Sequence, residues 1–331
     1  MLDSIPFQPA WWAPGGHLQT IIGYYSARKA SVQHDRVHKV QLDDGDTIVL
    51  LENRPAKQAR GAILLMHGLG SDAEAPYINR LVPLFLQKNW LVFRLNHRGA
   101  GLGEGLAKNL YHSGRSEDVS AAMQMVAALQ PEMPLVAAGF SLSGNMLLKL
   151  LGEHAQPIAD TVLAAVAINP PIDLSLCARA LRKKSNLLYD LRFVRMLKTA
   201  MKKRMQDFGD FPKVPLYEIR TLYDFDELIT APLNGFADAE DYYAKCNAKQ
   251  FLANVTIPTV IIASDDDPFV PKQTFDNLPA NDNIELLLTR SGGHVGFVHA
   301  RKTPLGSRKW LEYAIVQYAT HMLETLKPKR I

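Results

Sequence analysis

Two serines, Ser141 and Ser143, follow an apolar run and precede a helix-like pattern. A serine on a tight strand-to-helix turn forms a nucleophile elbow, which lifts its hydroxyl above the edge of a sheet. The backbone there is strained, so the residues two positions before and after the serine must be small. Ser141 has Gly139 and Ser143 at those positions, whereas Ser143 has Ser141 and the larger Asn145. The spacing therefore favours Ser141 as a nucleophile.

The match to the usual pattern G-x-S-x-G is incomplete, because Ser143 stands where the second glycine is expected. Serine is small, so this change predicts some extra strain in the turn rather than exclusion. The alternative is structural. In that interpretation a strand is followed by a serine whose hydroxyl caps the first turn of a helix.

A serine hydroxyl needs a base to take its proton, and the base needs a carboxylate to orient it. In a strand-turn-helix nucleophile fold these partners follow in the order acid, then histidine. After the apolar run 259–263 come Ser264 and then Asp265, Asp266 and Asp267. We favour Asp267, because the following Pro-Phe-Val-Pro resembles the turn usual after this acid. Asp266 is the alternative, and Asp265 is expected to cap a turn.

The candidate base is His294, which follows the apolar run 284–288 within Gly-Gly-His-Val-Gly. Nearby glycines allow a loop to approach another loop closely. His294 is also last in the required order. His299 is the alternative, although its position five residues later favours the start of the last helix.

Acyl transfer also needs N–H donors for the developing oxyanion. The backbone N–H of Leu142, directly after the candidate nucleophile, is one expected donor. The second is expected in the loop His67-Gly68-Leu69-Gly70-Ser71, where the glycines give backbone freedom. We assign that donor to the N–H of Leu69.

The elements that must position these residues are short apolar runs alternating with helical patterns, which predicts a mostly parallel α/β sheet. The runs are nearly all apolar, as in strands covered on both faces by helices. Strands are predicted over 62–67, 90–95, 135–140, 162–168, 259–263 and 284–288, and an antiparallel hairpin over 37–40 and 47–51. Helices are predicted over 116–129, 145–153 and 307–326.

The alternation stops between about residues 170 and 256, which we interpret as a helical cap inserted within a single domain of residues 1–331. Residues 1–30 are interpreted as an N-terminal extension packed on that domain. The cap contains a basic helical segment with an apolar stripe that should cover the site. The stripe consists of Leu187, Leu191, Val194, Leu197, Met201 and Met205. Its basic face could also give weak peripheral contact with a membrane surface.

The composition is that of an ordinary globular protein, with 47% hydrophobic and 21% charged residues and a net charge of only +4. Nothing in it requires nucleic acid as a partner. Cys177 and Cys246 are too few for a disulfide framework and lack metal-ligand spacing. With no signal-like or membrane-spanning run, a cytoplasmic location is expected.

With these residues in place, the chain resembles the YheT-like esterases of the α/β-hydrolase superfamily, which also includes animal α/β-hydrolase-domain proteins. The resemblance extends over nearly the whole length. Its motifs are Trp11-Trp12, Gly16–Thr20, His67–Ser71, Asn96–Gly99, Gly139–Leu142, Ala231–Phe236, Tyr242-Tyr243, Asp266–Pro268 and Gly293-His294. It implies a helical cap, a triad of Ser141, Asp267 and His294, and hydrolysis of carboxylic or lipid esters without a metal or organic cofactor.

The primary hypothesis is therefore a serine hydrolase acting on a small ester with an apolar acyl chain. A thioesterase or acyltransferase would use the same residues. A catalytically silent scaffold that binds a ligand or protein is the alternative from another class, supported only by Ser143. Two further residues have open roles. His17 is expected to pack the N-terminus rather than line the site, and Arg98 to form a structural ion pair rather than bind substrate.

Overall fold

The computed structural model describes residues 6–25 and 31–326. Of the predicted N-terminal extension, residues 1–5 and 26–30 lie outside the described residues. Within the described part of the extension, residues 6–25, helix α1 is Gly15–Tyr25.

The described residues form one eight-stranded sheet in the order β1-β2-β4-β3-β5-β6-β7-β8. Strands β1 and β2 form an antiparallel hairpin, β2 is antiparallel to β4, and the other pairs are parallel. The strands are β1 Arg36–Gln41, β2 Thr47–Asn53, β3 Gly61–Met66, β4 Trp90–Asn96, β5 Leu135–Phe140, β6 Val162–Ile168, β7 Thr259–Ser264 and β8 Ile284–Thr289. Every predicted strand is confirmed, with ends that differ by at most two residues.

Helices cover both faces of this sheet, as in the α/β-hydrolase fold, and this confirms the predicted fold class. Besides α1, the helices outside the cap are α2 Pro76–Gln87, α3 Ser116–Leu129, α4 Leu142–Glu153 and α10 Trp310–Thr325. Along β3 the side chains alternate in direction. Ile63 and Leu65 pack with α2 and α10 on one face, and Ala62, Leu64 and Met66 with α3 and α4 on the other.

Two helix boundaries differ from the sequence prediction. Helix α4 begins at Leu142, directly after Ser141, instead of at residue 145. The last helix begins at Trp310, so His299 does not open it. His299 instead forms an isolated antiparallel bridge with Pro9.

Between β6 and β7 the chain forms further helices above the carboxyl ends of the strands. They are α5 Leu174–Leu181, α6 Leu187–Asp207, α7 Leu222–Phe225, α8 Ala231–Leu233 and α9 Ala239–Cys246, with a π-helical turn at Asp226–Thr230. The predicted stripe on α6 is only partly buried. Val194 and Met201 are buried, whereas Leu187 is 53% and Leu191 48% exposed. The expectation that the whole stripe covers the site was therefore wrong for its first turns.

Candidate active site

Ser141 lies on the tight turn between β5 and α4, with a left-handed φ of 53° and ψ of −118°. A positive φ costs a non-glycine residue free energy and points to function when the surrounding structure enforces it. The neighbours enforce it here. Ser141 N–H donates to Ile168 O at 2.7 Å. A Cβ on Gly139 would come within 2.4 Å of the Ser143 carbonyl oxygen, so the turn requires glycine at that position.

Ser143 has a different environment, because its side chain is fully buried beneath the turn. Its hydroxyl donates to His67 O at 2.5 Å and lies 2.7 Å from His97 Nε2. Since the hydroxyl proton goes to the carbonyl, His97 Nε2–H must be the second donor. The serine at the usual glycine position is thus a buried hydrogen-bonding group.

His294 and Asp267 contact each other through Nδ1 and Oδ2 at 2.8 Å. The other carboxylate oxygen of Asp267 accepts hydrogen bonds from the N–H groups of Phe269 at 2.7 Å and Val270 at 3.0 Å. These bonds fix the carboxylate while its second oxygen orients the imidazole. The Phe269 ring packs against the His294 ring with centroids 4.7 Å apart.

The neighbouring aspartates have other partners. Asp266 accepts hydrogen bonds from Ser291 Oγ at 2.7 Å and from Gly293 N at 2.9 Å. It therefore shapes the loop after β8 that contains His294, which we call the histidine loop. Asp265 lies 3.4 Å from Lys272 in an ion pair. Asp267 is therefore the aspartate of this run that contacts His294.

Asn169, which sequence reasoning did not select, connects the two candidate catalytic loops. It is fully buried after β6 with a φ of 44°. Its Nδ2 donates to Asp267 Oδ2 at 2.7 Å and to Gly293 O at 3.3 Å, and its Oδ1 accepts from Val295 N at 3.3 Å. A polar residue directly after an apolar strand was the available sequence signal.

Thr20, on α1, was also missed as a site residue. Its hydroxyl accepts a hydrogen bond from His294 N at 2.8 Å and donates to Gly16 O at 2.6 Å. Helix α1 approaches the histidine loop backbone to backbone. A Cβ on Gly16 would lie 1.7 Å from Asp266 O, and one on Gly23 would lie 2.3 Å from Gly296 Cα.

The loop after β3 lies against Ser141, since a Cβ on Gly68 would be 3.2 Å from Ser141 Cβ. In that loop Gly68 N–H donates to Tyr77 Oη at 3.0 Å and Gly70 N–H to Tyr111 Oη at 2.8 Å. The N–H of Leu69 between them, and that of Leu142, have no partner within residues 6–25 and 31–326. The two predicted oxyanion donors are therefore available to a ligand.

No hydrogen bond among the described residues joins Ser141 Oγ to the His294 ring, although both line the same cavity. Catalytic hydrogen bonds are often long in free enzymes and shorten when substrate binds.

A layer of aromatic side chains packs beside the Ser141 turn and the loop after β3. The rings of His67 and His97 meet edge to face at 4.7 Å, and His97 stacks on Tyr111 at 5.2 Å. Burial lowers the pKa of His67 to about 4 and lowers that of His97 well below its usual value, so both stay neutral at pH 7. Burial also raises the pKa of Tyr111 to about 12.

The candidate residues open into a cavity of about 660 Å³ between the sheet edge and the cap. A volume of this size suits a small organic ligand. Most of its wall is apolar. Side chains that contribute include Leu69, Leu142, Leu174, Leu181, Phe193, Met196, Leu197, Phe225 and Phe269.

Two charged groups on this wall have contrasting environments. Arg98 forms ion pairs with Asp44 at 2.6 Å, Asp46 at 2.7 Å and Asp118 at 2.7 Å. It therefore has the structural pairing expected for it. Asp226, in the π-helical turn, accepts from Tyr243 Oη at 2.8 Å, and burial raises its pKa to about 6.

The sheet order, the strained serine after β5 and the aspartate and histidine after β7 and β8 define an α/β-hydrolase. The chain belongs to this family, because residues 57–285 match the hydrolase model described as “Serine aminopeptidase, S33”. It is also 32% identical over 330 residues to “Putative esterase YheT” of Escherichia coli (strain K12), covering 97% of this chain and 95% of that protein.

Other similar proteins share this class. Mouse phospholipase ABHD3 is 26% identical over 303 residues, which cover 88% of this chain and 73% of the mouse protein. The solved structure of the Pyrococcus furiosus esterase Pf2001 matches the fold with a TM-score of 0.55 at 14% identity, covering 86% of this chain and 92% of that one.

Within residues 6–25 and 31–326, no helix is both long enough and apolar enough to cross a bilayer.

Proposed function

We propose that this protein is a serine hydrolase that cleaves carboxylic esters through an acyl-enzyme on Ser141. The observation that carries the proposal is the joint placement of three features at one cavity. They are a serine at a φ of 53°, a histidine 2.8 Å from a buried carboxylate, and two N–H groups without partners in the described chain. In this proposal a serine, its base and oxyanion donors act as one unit.

In the proposed reaction Ser141 Oγ attacks the ester carbonyl while His294 Nε2 takes the hydroxyl proton. Asp267 holds Nδ1–H, which fixes the tautomer and stabilises the imidazolium that forms. His294 then returns the proton to the leaving alcohol. A water molecule deprotonated by His294 then attacks the acyl-enzyme. His294 returns that proton to Ser141 Oγ as the bond to the acyl group breaks, and the free acid leaves.

The N–H groups of Leu69 and Leu142 would bind the oxyanion of each tetrahedral intermediate. Such a donor is worth on the order of 10²–10³ in rate. The two tyrosine hydroxyls that accept from Gly68 and Gly70 hold the loop on both sides of Leu69, whose N–H has no partner in the described chain.

The apolar wall of the cavity supports an ester with a hydrocarbon acyl chain as substrate. Burying each methylene contributes about 0.8 kcal/mol, so a chain that fills the cavity gains affinity with length until the space ends. The names of the relatives, an esterase and a phospholipase, are consistent with such a substrate.

A p-nitrophenyl ester series of increasing acyl length tests this proposal, with an aminoacyl p-nitroanilide as the comparison substrate. We expect hydrolysis of the esters, an optimum chain length, and a loss of roughly 10⁴-fold or more in kcat for Ser141→Ala. Ser143→Ala is the matched control and should keep measurable turnover. Hydrolysis of the anilide but of no ester, or full activity in Ser141→Ala, would overturn the proposal.

A further inference from the structure

Helix α1 differs from an ordinary surface helix in the residues that it buries. Its buried residues are Gly16, Gln19, Thr20 and Gly23, which pack on the histidine loop. Three of its apolar residues are exposed instead, Leu18 and Ile21 at 42% each and Tyr25 at 61%, while Ile22 and Tyr24 pack against buried clusters. A surface helix normally turns its apolar side to the core, whereas this one leaves part of its apolar surface exposed within the described chain.

The first turns of α6 extend this apolar surface. Leu187, Leu188 and Leu191 are 53%, 80% and 48% exposed. The two helices are adjacent, because the Tyr189 ring stacks on the His17 ring at 5.7 Å. The Arg192 guanidinium also lies over the Tyr25 ring at 5.8 Å.

We call this surface the docking face. It consists of Trp11, Trp12, Leu18, Ile21, Tyr25, Leu187, Leu188 and Leu191. Trp11, before α1, is 85% exposed. Single exposed apolar residues are normal, but a group of this size on α1, on the segment before it and on the adjacent start of α6 indicates an interaction site.

The charges around the docking face are mostly positive. Lys183, Lys184 and Arg192 are exposed beside its leucines, and residues 6–25 contain no acidic residue. Between residues 182 and 206 the single carboxylate is that of Asp190, which is 2% exposed and accepts from Leu222 N. Leucine and tryptophan surrounded by lysine and arginine form the pattern of helices that lie in the interface of anionic bilayers.

We propose that the docking face binds an anionic lipid surface, with its apolar side chains at the acyl boundary and its basic side chains at the headgroups. The positive charge around the docking face favours an anionic lipid surface over a second copy of the chain as the partner. A two-fold dimer would bring like charges together, which disfavours association.

The docking face lies close to the proposed catalytic histidine. Tyr189, which stacks on His17, packs edge to face on Phe269 at 4.7 Å, and Phe269 contacts His294 at 4.7 Å. Bound in this way, the protein would present the cap side of its cavity to the lipid from which an ester substrate is taken. This consequence rests on the proposed function, but the binding itself does not.

Co-sedimentation with vesicles tests the proposal, using the full chain carrying Ser141→Ala so that no lipid is hydrolysed. Vesicles of phosphatidylcholine alone are compared with vesicles that also contain phosphatidylglycerol, at low and high salt. We expect stronger binding to the anionic vesicles and weaker binding as salt rises. Leu188→Ser should weaken partitioning on the order of tenfold, and Lys183→Gln with Lys184→Gln by a similar factor.

Leu102→Ser and Lys57→Gln are the matched controls, since both residues are exposed but lie outside the docking face. Equal binding to both vesicle types, or equal losses in the controls, would overturn the proposal. So would a dimer in sedimentation equilibrium that Leu188→Ser dissociates. Hydrolysis of a soluble short-chain ester by Leu188→Ser in an otherwise native chain should be unchanged, which separates failure of docking from failure of the proposed catalysis.

Discussion

Replacing Thr20 by valine removes one hydroxyl while keeping the shape of the side chain. In the native protein that hydroxyl accepts from His294 N–H at 2.8 Å, so the variant leaves this N–H without an acceptor. A buried donor left unpaired costs about 1–3 kcal/mol. The histidine loop can avoid this cost by shifting away from its native position. Each 1.4 kcal/mol that favours the shifted position reduces the population of the catalytically competent position tenfold. We therefore expect kcat to fall about tenfold with KM nearly unchanged.

Steady-state hydrolysis of a p-nitrophenyl ester, with urea unfolding measured in parallel, is the assay. Thr20→Ser keeps the hydroxyl and should restore most of the activity. Thr259→Val is the matched control for loss of a buried threonine hydroxyl, because Thr259 lies at the far end of β7 and donates to Ile257 O. It should lose stability and keep kcat. A Thr20→Val enzyme with wild-type kcat would refute the positioning role.

Three further outcomes are expected. Ser143→Ala should lower the free energy of unfolding, measured by urea titration, by about 2–4 kcal/mol, because the buried His67 carbonyl and the His97 Nε2–H lose their partner. Labelling of the variant with an active-site probe should persist. Asn169→Leu should lower kcat about tenfold by releasing the Asp267 carboxylate, as steady-state kinetics would show. Asp226→Asn should have a pH-dependent effect on stability. Since folding raises the pKa of Asp226 from 3.8 to about 6, the native state binds this proton more tightly, and stability is lost as pH rises through about 6. The stability of the variant relative to wild type should therefore rise by on the order of 2–3 kcal/mol between pH 4 and pH 7 in urea titrations.

Strands were predictable here because each is a short apolar run with a clear end, and burial on both faces makes such runs nearly continuous. The order of serine, aspartate and histidine was readable for a related reason. Each follows a strand, and the carboxyl ends of neighbouring parallel strands meet at one edge of the sheet. The position of Asp267 within its run of three aspartates depended on the turn geometry that gives its Oδ1 two backbone donors.

Other features depended on tertiary contacts that leave little trace in the sequence. In the sequence, nothing distinguishes Thr20 from other helical threonines. Its contact with His294 N–H follows only from the packing of α1 against the histidine loop. The leucines at the start of α6 have the spacing of a buried stripe, yet Leu187 and Leu191 remain about half exposed. Periodicity gives the face of a helix, but it does not say whether that face meets protein.

The central claim is that Ser141 is the nucleophile, and labelling with a fluorophosphonate followed by peptide mapping tests it most directly. Wild type, Ser141→Ala and Ser143→Ala are labelled side by side. We predict one labelled peptide containing Ser141, retained in Ser143→Ala and absent from Ser141→Ala. Label on Ser143, or a folded wild-type protein that neither labels nor hydrolyses any ester, would contradict the claim and favour a non-catalytic binding scaffold.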